Sequence, residues 1–247
     1  LFSVAREDGL ARWDRAAGAI LNSTITIGGG RLYYIESRSN SVLNAGAGRT
    51  GSSDLWRNNF LVALDVDTGD VLWRQPVTLP SSPAPVVAFL LYSEERLITS
   101  IANSRYHVTC YSAANGSQQW SQDHSWNRNH HGGHMYHPVV VGDTVIVEPR
   151  GYDLFSGGSV FNSLPSRGGC STMSAAARTV VYVDWDYDNG SFGFWDVDSG
   201  ARVQKAGSRG SCWLGLISGG GMVFSPTSSS GCVCRYPLQT SIGYSSW

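Results

Sequence analysis

One eleven-residue segment constrains this chain more than any other: Ala63-Leu-Asp65-Val-Asp67-Thr68-Gly69-Asp70-Val-Leu-Trp73, a strand, a tight turn and the start of a second strand. Its scheme recurs. Aligned on the turn glycines, the copies fall at Gly9, Gly69, Gly116, Gly157 and Gly200, at intervals of 60, 47, 41 and 43 residues. Four positions after each glycine stand Trp13, Trp73, Trp120, Phe161 and Gln204. Asp-Gly, Thr-Gly, Asn-Gly and Ser-Gly pairs between short apolar runs are hairpin turns, in which glycine supplies the positive φ. Upstream of the hairpins lie further β-rich runs, among them 31–35, 96–99, 144–147, 179–183 and 222–224. Two strands followed by a hairpin, at a period of roughly 40 residues, is the pattern of propeller blades. The expected fold is all-β: a β-propeller of four-stranded antiparallel blades, about five of them in this chain.

The repeat divides one β-propeller domain, 1–247, into parts. Residues 1–18 read as the outer hairpin of a partial blade. Residues 19–80 form a blade with an insertion at 38–56, which is polar, rich in Gly and Ser and without period, hence a surface loop. Blades follow at 81–124, 125–166 and 167–210, and 211–247 supplies closing strands. Joining the terminal strands in one blade would close a five-bladed ring. Because Leu1 falls inside a repeat, the reading favoured is a piece of a longer precursor whose parent ring has about seven or eight blades.

Composition agrees and excludes some functions. Of 247 residues, 42% are hydrophobic, 15% are charged and 29 are glycine, as in a turn-rich β protein. The formal net charge of -1 and the lack of a basic run give nucleic acid no electrostatic purchase. No stretch has the ~20 apolar residues of a membrane span. Four of the five cysteines, Cys170, Cys212, Cys232 and Cys234, fall near the C-terminal end and are disulfide candidates, which would place the protein in an oxidising compartment, periplasmic or extracellular. Cys232 and Cys234 share one strand face, so each can reach a different partner. Cys110 would be the odd thiol.

The segment Ala63-x-Asp65-x-x-Thr68-Gly69-x-x-x-Trp73 resembles the tryptophan-docking repeat of pyrroloquinoline-quinone (PQQ)-type propellers, which include quinoprotein alcohol dehydrogenases and the outer-membrane barrel-assembly lipoprotein. Asn115-Gly116 with Trp120, and Asp196-Val-Asp198-Ser199-Gly200, are degenerate copies. The C-terminal Arg209-Gly-Ser-Cys212-Trp213 and Gly231-Cys232-Val-Cys234-Arg-Tyr236 are similar to the ends of PQQ-like repeat proteins exported by planctomycete-type bacteria. The resemblance implies fold and compartment more than activity. In it, Asp65, Gly69, Trp73, Gly116, Trp120 and Gly200 are structural repeat residues, and Trp13, Trp73 and Trp120 are expected in the core.

Three groups of residues could carry chemistry. His130, His131, His134 and His137 lie within eight residues, with Gly132 and Gly133 between them and His124 upstream. Imidazoles in such a cluster could hold copper or zinc. The alternative is a polar loop whose histidines bond to backbone or stack on Trp126 and Tyr136. A PQQ-dependent dehydrogenase needs a calcium cluster and a basic residue at the quinone, and many carry adjacent cysteines. None of these is recognisable, so PQQ is not expected. Asp184, Asp186 and Asp188 alternate on one strand face and loosely match a calcium loop, but Trp195 stands where the twelfth-position Glu belongs. A solvated hairpin tip explains them as well. Trp126 and Trp185 lie beside polar loops and could form a carbohydrate- or peptide-binding face, although packing accounts for either. The expectation is therefore a binding or scaffold propeller without catalysis of its own, engaging a protein partner or the rest of a larger precursor. The competing class is a metal-binding enzyme or electron-transfer subunit.

Overall fold

The computed structural model describes residues 1–45, 51–125, 137–164, 172–184, 191–205, 215–226 and 241–245. They are almost wholly β and form two compact units, Leu1–Ser125 and Trp126–Trp247. In the first unit, β1 (Phe2–Val4) and β2 (Ala11–Asp14) make a two-stranded antiparallel sheet. The next sheet contains β3 (Ala19–Ile20), β4 (Thr26–Gly28), β5 (Arg31–Ser37), β6 (Asn59–Asp65) and β7 (Val71–Val77), in the order β3-β5-β6-β7 with β4 also on β5. Its inner strand is thus broken in two by a 3-10 turn at Asn22–Thr24. The buried Thr24 hydroxyl bridges the break, donating to the Leu21 carbonyl at 2.6 Å and accepting from the Ile35 N–H at 2.9 Å. The third sheet runs β8 (Val87–Ser93), β9 (Arg96–Ala102), β10 (Arg105–Ser112) and β11 (Gln118–Ser125), in chain order.

Strands β5 and β6 are buried on both faces, and alternation sends successive side chains to opposite sides. Tyr33, Ile35, Leu61 and Ala63 pack with Leu90, Leu97 and Ile101 of the following sheet. Leu32, Tyr34, Val62 and Leu64 pack with Trp13 and Ile20 on the other side. Each such large apolar side chain contributes ~1.5–3 kcal/mol of burial. The insertion, expected as a surface loop, carries two short helical pieces. It contains a one-turn helix α1 (Asn40–Leu43) and a 3-10 turn at Ser53–Trp56, and Leu55 and Trp56 cover the core. Four-residue helical pieces are too short to leave a period in sequence.

In the second unit, β12 (Val139–Val141), β13 (Thr144–Val147), β14 (Arg150–Asp153) and β15 (Ser159–Phe161) form one four-stranded sheet. A second is formed by β16 (Ser174–Ala176), β17 (Thr179–Asp184), β18 (Ser191–Asp196) and β19 (Arg202–Lys205). Strands β20 (Ile217–Gly219), β21 (Met222–Ser225) and β22 (Ile242–Ser245) make a three-stranded sheet. Val141 and Ile146 meet Val180, Tyr182 and Trp195 between the first two of these sheets. Antiparallel meanders in chain order, packed face to face within each unit, are the blades of a β-propeller.

Candidate functional site

The recurrent hairpins come first, because the motif residues lie on them. Gly9, Gly69, Gly116, Gly157 and Gly200 all have φ between 70 and 75°. Each glycine N–H bonds back to the carbonyl four residues earlier, as in Gly69 to Asp65 at 2.9 Å. Three hairpins open on an aspartate that caps its own turn. Asp65 Oδ1 accepts from the N–H groups of Asp67 and Thr68, both at 2.9 Å. Asp153 Oδ1 accepts from the Ser156 hydroxyl and N–H, both at 2.7 Å, and Asp196 takes the same two groups of Ser199. These bonds favour the ionised form and hold all three carboxyls below their ordinary value of 3.8; at Asp65 the Thr68 N–H leads, and at the other two the serine hydroxyl leads.

A pH dependence follows. A carboxyl depressed on folding adds stability above its unfolded pKa, and that share is lost as pH falls through the lower folded value. The hairpins should therefore hold at neutral pH and loosen in acid below about 3.9. Replacing Asp65, Asp153 and Asp196 together by asparagine should flatten the acid limb of a melting-temperature profile. An unchanged limb would remove these turns from the acid response.

Within the first unit, two tryptophans that follow a turn, Trp13 and Trp73, reach the turn of the next sheet. Trp13 donates through Nε1 to the Val66 carbonyl at 3.0 Å, and its ring lies where a Cβ on Gly69 would come within 2.6 Å. Trp73 repeats this one sheet later: Nε1 donates to the Ala113 carbonyl at 3.2 Å, and a Cβ on Gly116 would stand 2.7 Å from the indole. Val66 and Ala113 occupy the same place, three residues before the turn glycine. Arginines add to both contacts, Arg15 on the Gly69 carbonyl at 2.9 Å and Arg31 on the Ala113 carbonyl at 3.0 Å. Trp13 and Trp73 are only half-buried, because the contact lies at the sheet rim; Trp120 is buried. Phe161 cannot donate, and instead meets Trp195 edge-on at 5.1 Å between ring centres. The repeat assigned Trp195 no role.

Ionisable groups inside the sheets are also committed. Buried Glu36 accepts from Arg38 Nε at 2.6 Å, from the Gly18 N–H at 2.6 Å and pairs with Arg74 Nε at 3.3 Å. Asp184 is buried beside β19, where Arg202 and Gln204 each donate to Oδ2 at 2.6 Å. It is therefore not part of a solvated hairpin tip; Asp186 and Asp188 lie outside the described residues. So do His130, His131 and His134, the cysteines Cys170, Cys212, Cys232 and Cys234, and Trp126 and Trp185. His137 is described: its Nδ1 donates to the Pro138 carbonyl at 2.7 Å, and burial pushes its pKa down. His124 is buried with its ring 5.2 Å from that of Tyr106. Cys110 is buried, and desolvation pushes its thiol up to about 12. Among the described residues no three of His, Cys, Asp and Glu are placed to hold a metal ion. The carboxylates of Asp65, Asp153, Asp196, Glu36 and Asp184 are thus held by nearby N–H groups, hydroxyls and arginines.

The first hairpin, β1–β2, carries exposed apolar residues. Leu1 and Arg15 exchange both backbone bonds, at 2.7 and 3.1 Å, and Ser3 lies opposite Trp13. Alternation then turns the N–H and C=O of Phe2 and Val4 away from β2. Among the described residues β1 pairs with β2 alone. Phe2 is 69% exposed and Leu10, on the same hairpin, 67%.

Successive antiparallel sheets joined by a repeated glycine hairpin define a PQQ-like repeat β-propeller. The chain belongs to the family described as outer membrane protein assembly factor BamB, whose model matches residues 2–168. No curated protein matches it. Among solved structures it is similar to BamB from Moraxella catarrhalis, with 15% identity and a TM-score of 0.58 over 90% of this chain and 63% of that one. A europium-containing methanol dehydrogenase is similar at 9% identity and a TM-score of 0.54, over 96% of this chain and 54% of that one. A quinohemoprotein alcohol dehydrogenase from Pseudomonas putida HK5 is similar at 10% identity and a TM-score of 0.51, over 82% of this chain and 42% of that one. The chain thus spans less than two thirds of each of these structures. Among the described residues no helix is long and apolar enough to cross a membrane.

Proposed function

We propose that this protein is a non-catalytic scaffold propeller of an exported bacterial protein, which takes part in outer-membrane protein assembly by binding another protein. The observation that carries this reading is the match of the assembly-factor family model to residues 2–168. Phe2, Val4 and Leu10 on the β1–β2 hairpin are exposed apolar side chains that offer a partner contact. Family membership supports the assembly role, and the engagement of the repeat carboxylates within their own turns favours binding over catalysis.

The test is site-specific photo-crosslinking in cells. A benzophenone amino acid in place of Phe2 should give a discrete adduct with a second protein, and the same probe in place of buried Leu61 should not. Adducts confined to the chain itself would count against a partner at this hairpin. Turnover of an alcohol by purified protein carrying a quinone would overturn the scaffold reading altogether.

A further inference from the structure

The structure assigns a second binding site, independent of the first hairpin: a polar cleft between β7 and the face of the following sheet, of a kind that receives a neutral saccharide. Its volume is about 600 Å³, within the range of small-molecule sites. One wall is the segment from Gln75 to Pro80; the other is formed by alternate residues of β10 and β11. Register sets two cross-strand pairs on that wall, His107 opposite Asp123 and Thr109 opposite Ser121. His107 Nδ1 lies 2.8 Å from Asp123 Oδ1, and the Thr109 and Ser121 hydroxyls are 3.2 Å apart. On its other side His107 Nε2 faces Asn103 Oδ1 at 3.1 Å. Asn103 is itself oriented by the Arg105 N–H on that oxygen at 2.9 Å and by its own donation to the Pro83 carbonyl at 3.2 Å. The polar groups are therefore pre-positioned.

Three features choose the ligand class. Hydroxyls and amides both donate and accept, and the Asp123 carboxylate accepts, which matches vicinal hydroxyl groups. Among the described residues no lysine or arginine lines the cleft, so phosphate and other anions would meet Asp123 without a guanidinium or ammonium group to bind them. Pro76, Leu79 and Pro80 give an apolar shelf for the C–H face of a sugar ring. An added peptide strand is disfavoured, because Pro76 lies within β7 and has no N–H to donate to a ladder. A hydrolytic triad is not formed either, since the second imidazole nitrogen faces Asn103 rather than a hydroxyl.

The test is amide chemical-shift perturbation on the full-length ¹⁵N-labelled protein, titrated separately with N-acetylglucosamine, maltose and inorganic phosphate. Expected is saturable perturbation by at least one saccharide at amides of Gln75, Thr109, Ser121 and Asp123, and none there by phosphate. The double variant Ser121→Ala/Asp123→Asn should weaken that binding about tenfold or more, with an unchanged melting temperature. Phe2→Ser, on the first hairpin, should leave it unaltered. No perturbation by either saccharide, perturbation by phosphate alone, or equal affinity in the double variant would each overturn the proposal, and none of these touches the assembly reading.

Discussion

Replacing Glu36 by alanine is expected to destabilise the first unit by about 3 kcal/mol, the lower part of the range for removing one partner from a buried ionic group. Glu36 is wholly buried, yet it gathers the Arg38 and Arg74 guanidinium groups and the Gly18 N–H. Its loss strands two cations and an N–H. The arginine heads are 37% and 33% exposed and regain part of their hydration, which keeps the cost from the top of the range. Glu36→Gln keeps the shape and the Gly18 bond and should cost about half as much. Urea unfolding measures both. A Glu36→Ala midpoint equivalent to less than about 0.5 kcal/mol would mean that the network carries no stability.

The second large effect is expected at Trp73. Its indole packs against the core formed by Tyr33, Ile35 and Leu61, covers Gly116 and donates to the Ala113 carbonyl. Trp73→Ala should cost about 3 kcal/mol, since the ring is half-buried rather than enclosed. Trp73→Phe retains most of the packing and loses the donor, for about 1 kcal/mol. Phe161 shows that the architecture accepts a phenyl ring at the equivalent place. Hydrogen exchange gives the discriminating readout: the Gly116 N–H, bonded to the Ser112 carbonyl, should exchange faster in Trp73→Ala, because the lost contact lies on its turn. Wild-type protection there would detach the indole from the turn it covers.

The sequence shows some of this and conceals the rest, for physical reasons. The turn glycines were legible because a positive φ imposes one residue type, and because the copies recur at blade spacing. Trp73 was legible for the same reason. Glu36 was not: its partner Arg74 lies two strands away in the same sheet, and strand-to-strand register is a property of the fold. The His107–Asp123 pair is hidden likewise, although hairpin register counted back from Gly116 would have placed the two opposite each other. Asp184 was read with Asp186 and Asp188 as one carboxylate face, whereas it belongs with Arg202 and Gln204 on the far strand of its sheet. The helical turns of the insertion left no signal, because a single turn has no second turn to repeat it.

The contact made by each indole also sets an order in time. Trp73 finds its acceptor 40 residues further along the chain, and Trp13 waits 53. During synthesis at about 5–20 residues per second, these two indoles lack their acceptor for about 2–10 seconds after they emerge. Until the next sheet arrives, the ring face that will cover its turn glycine stays exposed. That window is when a chaperone would bind, and when a pause in translation would do the most harm.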